Sequence, residues 1–341
     1  MKSGRKKSGS NTNAMSKNDD SAGNANKTKN KFFTDGNYDK VTVSQILEMK
    51  KRNEKAAFVT AYDYSNALIC DMAGVDGVLV GDSAAMVMLG YHDTTRVGMQ
   101  EMLVFCAGVC RAVRRALIIA DMPFGSYQGS VANAIHNAVL FVKAGCNAVK
   151  IEGGEEVVPL IRSIVAAGIP VMGHIGFTPQ TSPMWKNNRL HGKTLDSALK
   201  LMEDAKELEE AGAFSIVLEM VTDEVATLIS QDLSIPTIGI GSGLNCDGQV
   251  LVSHDLLGLY ESVRLRFVKR YAHLSKTILD AISQYSKEVK EKKFPQDANS
   301  FHMDNDELNK VLMTLKKERN SRENVRQGKP KTQRSKKGVI L

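Results

Sequence analysis

The chain has 341 residues, of which 43% are hydrophobic and 24% charged, and its formal net charge is +7. These fractions are typical of a globular protein, and the absence of any run of about 18 uncharged apolar residues excludes a transmembrane helix. The five cysteines form no C-x-x-C pair, which argues against a structural zinc site or a secreted disulfide framework and favours a cytoplasmic protein.

The positive charge lies at the two ends of the chain. Residues 1–40 carry nine Lys or Arg against four Asp or Glu, and residues 304–341 carry eleven against five. The part between them is therefore mildly acidic and has no basic face, so we expect no specific nucleic-acid binding. Residues 1–38 are polar and predicted to be disordered, and residues 304–341 are predicted to form a basic tail, partly helical and partly disordered.

Between the two ends, short apolar runs alternate with amphipathic segments. The runs lack the alternation of a strand with one exposed face, so they are predicted to be buried parallel strands. Eight such runs occur, at residues 58–62, 77–81, 116–120, 148–151, 170–173, 214–218, 236–240 and 250–253. With the helices between them they predict a (β/α)8 TIM barrel with C-terminal helices over residues 39–303, and a doubly wound open sheet is the alternative.

Polar residues stand at the ends of five consecutive predicted strands. In a TIM barrel these ends converge on one mouth, where such enzymes place their catalytic groups. Capping of the following helices is the alternative role for an Asp at such a position. The residues concerned are Asp82, Ser83, Asp121, Lys150, Glu152, His174 and Glu219.

The residue types indicate which chemistry this set could perform. Three carboxylates, Asp82, Asp121 and Glu152, suit a hard cation with oxygen ligands, for which Mg²⁺ is the natural candidate. Zinc would favour more nitrogen or sulfur. Lys150 shares one face of its strand with Glu152, so it could pair with a substrate carboxylate or with a neighbouring carboxylate. Glu219 ends an apolar strand, a setting that suits a carboxylate for proton transfer.

Seven motifs resemble the ketopantoate hydroxymethyltransferase family and occur in that family's order. The resemblance as a whole covers the chain from about residue 41 to residue 301. The motifs are TAYDY at 60–64, VGDS at 80–83, ADMPFGSY at 120–127, VKIEGG at 149–154, GHIGFTPQ at 173–180, IGIG at 238–241 and CDGQVLV at 246–252.

The resemblance implies a magnesium-dependent TIM-barrel transferase. Such an enzyme moves a hydroxymethyl group from 5,10-methylenetetrahydrofolate to α-ketoisovalerate (3-methyl-2-oxobutanoate), through an enolate that Mg²⁺ stabilises. The product is ketopantoate, a precursor of pantothenate and coenzyme A. The resemblance also implies one Mg²⁺ per subunit and assembly into a large homo-oligomer, a decamer in several family members.

Roles for individual residues follow from their positions in these motifs. Glu219 is implied as the proton acceptor. His174 is implied as a residue that contacts other site residues rather than the substrate or the metal. The implied metal ligands are Asp82, Asp121 and Glu152. The implied contacts to the keto acid are Asp82, Ser83, Asp121 and Lys150.

Among the departures from the family pattern, one concerns a loop near the site, and two alternative functions are also open. Segment 184–190, which carries Trp185, lacks an expected pair of glycines, and this loop is predicted to border the site and influence folate binding. The first alternative is a Mg²⁺-dependent lyase or mutase of the phosphoenolpyruvate mutase/isocitrate lyase type, although no candidate for the reactive loop cysteine of those enzymes stands out here. The second is a catalytically inactive barrel that serves as a scaffold.

Overall fold

The structure, a computed structural model, describes residues 39–181, 190–260 and 265–327. The tail predicted over residues 1–38, Trp185 and the chain from residue 328 onward lie outside the described residues. The chain divides into two compact units, one up to Ser253 and one from His254. Within the described ranges, no helix is both long enough and apolar enough to cross a bilayer.

Eight parallel strands close into a barrel in which each strand pairs with the next. The strands are β1 (Ala56–Thr60), β2 (Gly77–Val80), β3 (Leu117–Asp121), β4 (Ala148–Glu152), β5 (Val171–Gly176), β6 (Ser215–Glu219), β7 (Thr237–Ile240) and β8 (Gly248–Leu251). The last strand pairs with the first, with Val250 opposite Phe58. The predicted (β/α)8 barrel is thereby confirmed, and the open sheet is excluded.

Helices connect most of the strands. The α-helices are α1 (Val43–Lys51), α2 (Tyr64–Met72), α3 (Ala84–Val87), α4 (Met99–Ala112), α5 (Val131–Ala144), α6 (Val158–Ala166), α7 (Leu195–Glu210), α8 (Asp223–Asp232), α9 (Ser253–Leu256), α10 (Leu274–Lys290) and α11 (Asn305–Gln327). The starts of three of them are set by short polar side chains that accept a backbone N–H of the first turn: Asp63 caps α2, Ser130 caps α5 and Thr194 caps α7.

The first and the eighth strand each lie two residues earlier in the chain than predicted, at 56–60 instead of 58–62 and at 248–251 instead of 250–253. The first strand ends at Thr60, although Ala61 and Tyr62 beyond it are almost fully buried. The eighth begins at Gly248 rather than at Val250. A continuous apolar run indicates that the chain is buried, but it does not indicate where the strand ends. The chain just past a strand end can be as buried as the strand itself.

On several strands, among them β3 and β5, the face that points into the barrel changes from apolar to polar along the chain. Alternate residues of a strand share one face. On β3, Leu117 and Ile119 belong to the buried apolar cluster, and Asp121 follows on the same face. On β5, Met172 of the cluster is followed by His174. The inner face therefore carries an apolar core in its first part and polar side chains near the carboxyl ends of the strands.

The barrel closes where β8 approaches β1 too tightly for a side chain. A Cβ at Gly248 would lie 2.5 Å from the carbonyl oxygen of Ala56. We expect Gly248→Ala to lower the free energy of unfolding by about 1–3 kcal/mol, since the backbone must shift, as measured by urea-induced unfolding. Gly129→Ala is the control, because nothing lies within 4 Å of its added Cβ. Equal stability of the two variants would contradict the close approach.

Candidate active site

Three acidic side chains from neighbouring strands meet at the carboxyl end of the barrel. Asp82 follows β2, Asp121 ends β3 and Glu152 ends β4. One carboxylate oxygen from each lies within 4.8 Å of the other two, and all three residues are buried. The strand-end pattern of the sequence thus corresponds to a real cluster of carboxylates.

Lys150 lies inside this cluster. Its Nζ is 2.9 Å from Asp121 Oδ1 and 3.4 Å from Glu152 Oε1, and only 4% of its side chain is exposed. Burial alone would lower the pKa of Lys150, but Asp121 and Glu152 outweigh burial and hold that pKa above its ordinary value. The ammonium group therefore stays charged. The predicted pairing of Lys150 with neighbouring carboxylates is thus present, and it does not exclude a substrate carboxylate as a further partner.

The buried site shifts the pKa values of the three acids in different directions. Burial, followed by the charge of Asp121, raises the pKa of Asp82 well above its usual range. Burial also raises the pKa of Asp121, although Lys150 opposes this shift. At Glu152 the effect of burial is outweighed by Lys150 and His174, which hold the pKa of this carboxyl below its ordinary value. By residue type, the cluster holds three acidic groups and a single lysine.

His174 links the carboxylate cluster to Glu219. Its Nδ1 lies 3.3 Å from Glu152 Oε1 and 3.1 Å from Lys150 Nζ, and its Nε2 lies 3.3 Å from Glu219 Oε2. Burial and Lys150 oppose protonation of the imidazole, but Glu152 and Glu219 raise the pKa of His174 above its ordinary value. The imidazole thereby connects the carboxylates that end β4 and β6.

The position of His174 differs from the sequence expectation. The fifth strand was expected to end at residue 173, so that His174 would lie just beyond it. Instead β5 continues to Gly176, because His174, Ile175 and Gly176 pair with Val217, Leu218 and Glu219 of β6. This register places His174 inside the barrel wall, beside the end of β6.

Glu219 is the most accessible acid of the site. Its side chain is 16% exposed, compared with 1% for Glu152 and 2% for Asp121. The three residues before it on β6, at 216–218, are apolar and buried, as the sequence indicates, but its carboxylate lies beside an imidazole. Glu219 therefore combines access from solvent with a fixed polar neighbour.

The contacts after β2 and β3 decide whether the residues at these strand ends serve as helix caps. The backbone N–H of Asp82 donates to Asp121 Oδ2 at 3.1 Å, and Ser83 Oγ lies 2.8 Å from the hydroxyl of Tyr62. Ser83 precedes the single turn of α3 without a side-chain cap, and α5, the helix after β3, is capped by Ser130. Capping therefore does not explain Asp121, which faces the cluster instead.

Two buried residues of the site were missed by the sequence reasoning. Tyr127 lies in the loop after β3, and Gln180 lies in the loop after β5. The tyrosine hydroxyl donates to Gln180 Oε1 at 2.7 Å. Both occur within the motifs that resemble the family, but each is several residues past a strand end, where strand-end position gives no signal.

The cluster has the properties of a site for a hard divalent cation. Asp82 Oδ2 is buried and has no hydrogen-bond partner among the described residues, and such an atom is costly unless a further group satisfies it. Three carboxylates around one lysine leave an excess of negative charge that a divalent cation would balance. Oxygen donors are the ligands that Mg²⁺ prefers, so Asp82, Asp121 and Glu152 fit this ion.

Two solved structures with the same fold are distantly related to this chain in sequence. A phosphonopyruvate hydrolase, solved in complex with oxalate and Mg²⁺, has a TM-score of 0.51 and 13% identity; the match covers 82% of this chain and 97% of that one. A 2,3-dimethylmalate lyase of the phosphoenolpyruvate mutase/isocitrate lyase superfamily has a TM-score of 0.50 and 15% identity, covering 83% of this chain and 98% of that one. At this level of identity, the likeness concerns the fold alone.

Curated relatives are much more similar. The 3-methyl-2-oxobutanoate hydroxymethyltransferase of Nitrosopumilus maritimus (strain SCM1) is 52% identical over 270 residues, which cover 79% of this chain and 97% of that protein. The enzyme of the same name from Carboxydothermus hydrogenoformans is 53% identical over 266 residues, covering 78% and 96%. The sequence profile of ketopantoate hydroxymethyltransferases matches residues 40–297. The chain therefore belongs to the ketopantoate hydroxymethyltransferase family, a family of transferases.

Proposed function

We propose that the protein transfers a hydroxymethyl group from 5,10-methylenetetrahydrofolate to α-ketoisovalerate. A carbon–carbon bond forms between C3 of the keto acid and the methylene carbon, one water is consumed, and ketopantoate and tetrahydrofolate are released. The observation that carries the proposal is the buried cluster of Asp82, Asp121 and Glu152 around Lys150. The names of the relatives, which specify 3-methyl-2-oxobutanoate, support the same substrate.

In this proposal Asp82, Asp121 and Glu152 hold one Mg²⁺ per subunit. The buried, unpartnered Oδ2 of Asp82 and the excess of acids over lysine support this assignment. When bound, the ion would supply Lewis-acid stabilisation of the negative charge that develops on the keto oxygen, an effect of several kcal/mol.

Glu219 is the proposed acceptor of the C3 proton. It is the most exposed of the site acids, and His174 Nε2 lies 3.3 Å from its Oε2. A positioned base typically contributes about 10²- to 10⁴-fold to such a step. His174 is the proposed positioning residue for this carboxylate, since it is buried and held in the register of β5 and β6.

The keto acid is proposed to contact Lys150, Ser83 and the two aspartates. Lys150 is charged and would pair with the substrate carboxylate or with the developing oxyanion. Ser83 Oγ is held by the Tyr62 hydroxyl at the edge of the same cluster, where it can donate to a substrate oxygen. Substrate contacts of Asp82 and Asp121 complete this set.

We also propose that the protein acts in the cytoplasm as a homo-oligomer, with a decamer as the form that the family resemblance suggests. Large apolar side chains remain exposed on two helices that pack together, α2 and α4. Ile69 and Val104 are 65% and 70% exposed, and contiguous exposed apolar surface often marks a protein interface. Light scattering that gives the mass of a single chain would contradict this part of the proposal.

The function is tested by turnover of the purified full-length chain. α-Ketoisovalerate, 5,10-methylenetetrahydrofolate and MgCl₂ are supplied, and ketopantoate is quantified by liquid chromatography and mass spectrometry. We expect ketopantoate to form in step with tetrahydrofolate and to be lost when EDTA is added. No ketopantoate under these conditions would favour the catalytically inactive barrel.

Metal binding predicts a change in stability that does not depend on turnover. At a Mg²⁺ concentration of about one hundred times Kd, the ion should stabilise the folded state by about 2.7 kcal/mol. This appears as a rise in Tm in differential scanning calorimetry. Asp121→Asn should remove the rise, because one ligand carries less charge. An equal rise in wild type and variant would place the ion elsewhere.

A further inference from the structure

The carboxylate of Glu152 is held from two sides. Its Oε1 faces Lys150 and His174 within the cluster. Its Oε2 accepts the backbone N–H of Gln180 at 3.0 Å. The orientation of this carboxylate therefore depends on where the loop after β5 places the Gln180 backbone.

The Gln180 side chain anchors that loop to the loop after β3. The residue is 2% exposed. Its Nε2 donates to the carbonyl oxygen of Met122 at 2.9 Å, and its Oε1 accepts from the Tyr127 hydroxyl at 2.7 Å. Both polar atoms of the amide thus contact the loop after β3, and loss of either contact leaves a buried polar atom without that partner.

Tyr127 connects this anchor to the end of β4. Its hydroxyl is also 3.2 Å from the backbone oxygen of Glu152. A phenolic hydroxyl has one hydrogen to donate, and the Gln180 and Glu152 oxygens both accept from it. The loop that carries it is held in turn by Asn137 of α5, whose Nδ2 donates to the backbone oxygen of Ser126 at 2.7 Å.

We propose that Tyr127 and Gln180 are positioning residues that fix the Glu152 carboxylate and thereby set the metal affinity of the site. This inference rests on the proposed function, in which Glu152 is a metal ligand. Through these two side chains the loops after β3 and β5 are joined at the end of β4. Partners that orient a metal ligand typically contribute about 10- to 100-fold to metal affinity.

The test is the Kd of the full-length chain for Mn²⁺, a stand-in for Mg²⁺ whose free form is quantified by electron paramagnetic resonance. Gln180→Met keeps the length of the side chain and removes its polar atoms, and we expect Kd to rise about 10- to 100-fold. Tyr127→Phe removes one hydroxyl, and we expect a rise of about three- to tenfold. The double variant should bind no more weakly than Gln180→Met, because both changes break one network.

The control is Gln128→Met in the same loop as Tyr127. Gln128 is exposed and accepts only the backbone N–H of Gly125 among the contacts described. The Kd of the Gln128→Met variant for Mn²⁺ should therefore equal that of wild type. Melting temperatures in EDTA separate the interpretations: a purely structural role would lower Tm and leave Kd unchanged, and that result would overturn the inference while the proposed function stands. Absence of Mn²⁺ binding by the wild-type chain would overturn both.

Discussion

Replacing Lys150 with methionine is expected to lower the free energy of unfolding of the metal-free protein by about 3–5 kcal/mol. The variant keeps the volume of the side chain but leaves Asp121 and Glu152 buried without their cationic partner, and removal of one member of a buried ion pair typically has this effect. The measurement is urea-induced unfolding in EDTA, followed by circular dichroism.

Lys200→Met is the matched control for this prediction. The Lys200 ammonium also contacts two carboxylates, Glu155 at 2.8 Å and Asp204 at 3.2 Å, but its side chain is 48% exposed. Solvent screens such a pair, so the control should lose far less stability than Lys150→Met. Similar losses in the two variants would show that the buried cluster does not depend on its lysine.

The decrease in the free energy of unfolding caused by Lys150→Met should become smaller as the pH is lowered. Burial already raises the pKa of Asp82 and Asp121 in the folded state. An acid whose pKa is higher in the folded than in the unfolded state favours folding at low pH, and this contribution disappears as the pH rises through the folded-state pKa. Protonation therefore relieves the charge that Lys150 would otherwise neutralise.

Glu219→Gln is expected to lower kcat about 100- to 10,000-fold in the ketopantoate assay. The amide retains the shape of the carboxylate and a contact with His174, but it cannot accept the C3 proton. The Kd for Mn²⁺ and the Tm should stay close to those of wild type, because Glu219 is not among the proposed metal ligands.

Glu224→Gln is the control for this substitution. Glu224 lies in the first turn of α8, is exposed, and carries no role in the proposed chemistry. Its kcat should equal that of wild type. A Glu219→Gln variant that turns over at the wild-type rate would exclude Glu219 as the base and direct attention to another group of the site.

Much of the barrel was predictable because burial on both faces leaves a strong trace in the sequence. Continuous apolar runs identify each strand, and their number and spacing favour a closed barrel. The pairing of β8 with β1, which excludes the open sheet, is a tertiary property. Boundaries were less predictable where buried chain continues past a strand, as at Ala61 and Tyr62, or where a strand begins with a glycine, as at Gly248.

The site was predictable to the extent that it depends on strand ends. Asp121, Glu152 and Glu219 end their strands and come together for that reason. The extension of β5 past residue 173 depends on its pairing with β6, which is a tertiary property. Tyr127 and Gln180 reach Glu152 through loop conformation and side-chain hydrogen bonds, and strand-end position does not encode either of these.

Exchange of the C3 proton of α-ketoisovalerate in D₂O, followed by proton nuclear magnetic resonance, tests the central proposal most directly. It isolates proton removal at C3 and needs no folate donor, although tetrahydrofolate is added in a parallel sample. The proposal predicts exchange that requires Mg²⁺ and is lost in both Glu219→Gln and Asp121→Asn. Absence of exchange in wild type, with and without tetrahydrofolate, would contradict the assignment of this cluster as a catalytic site.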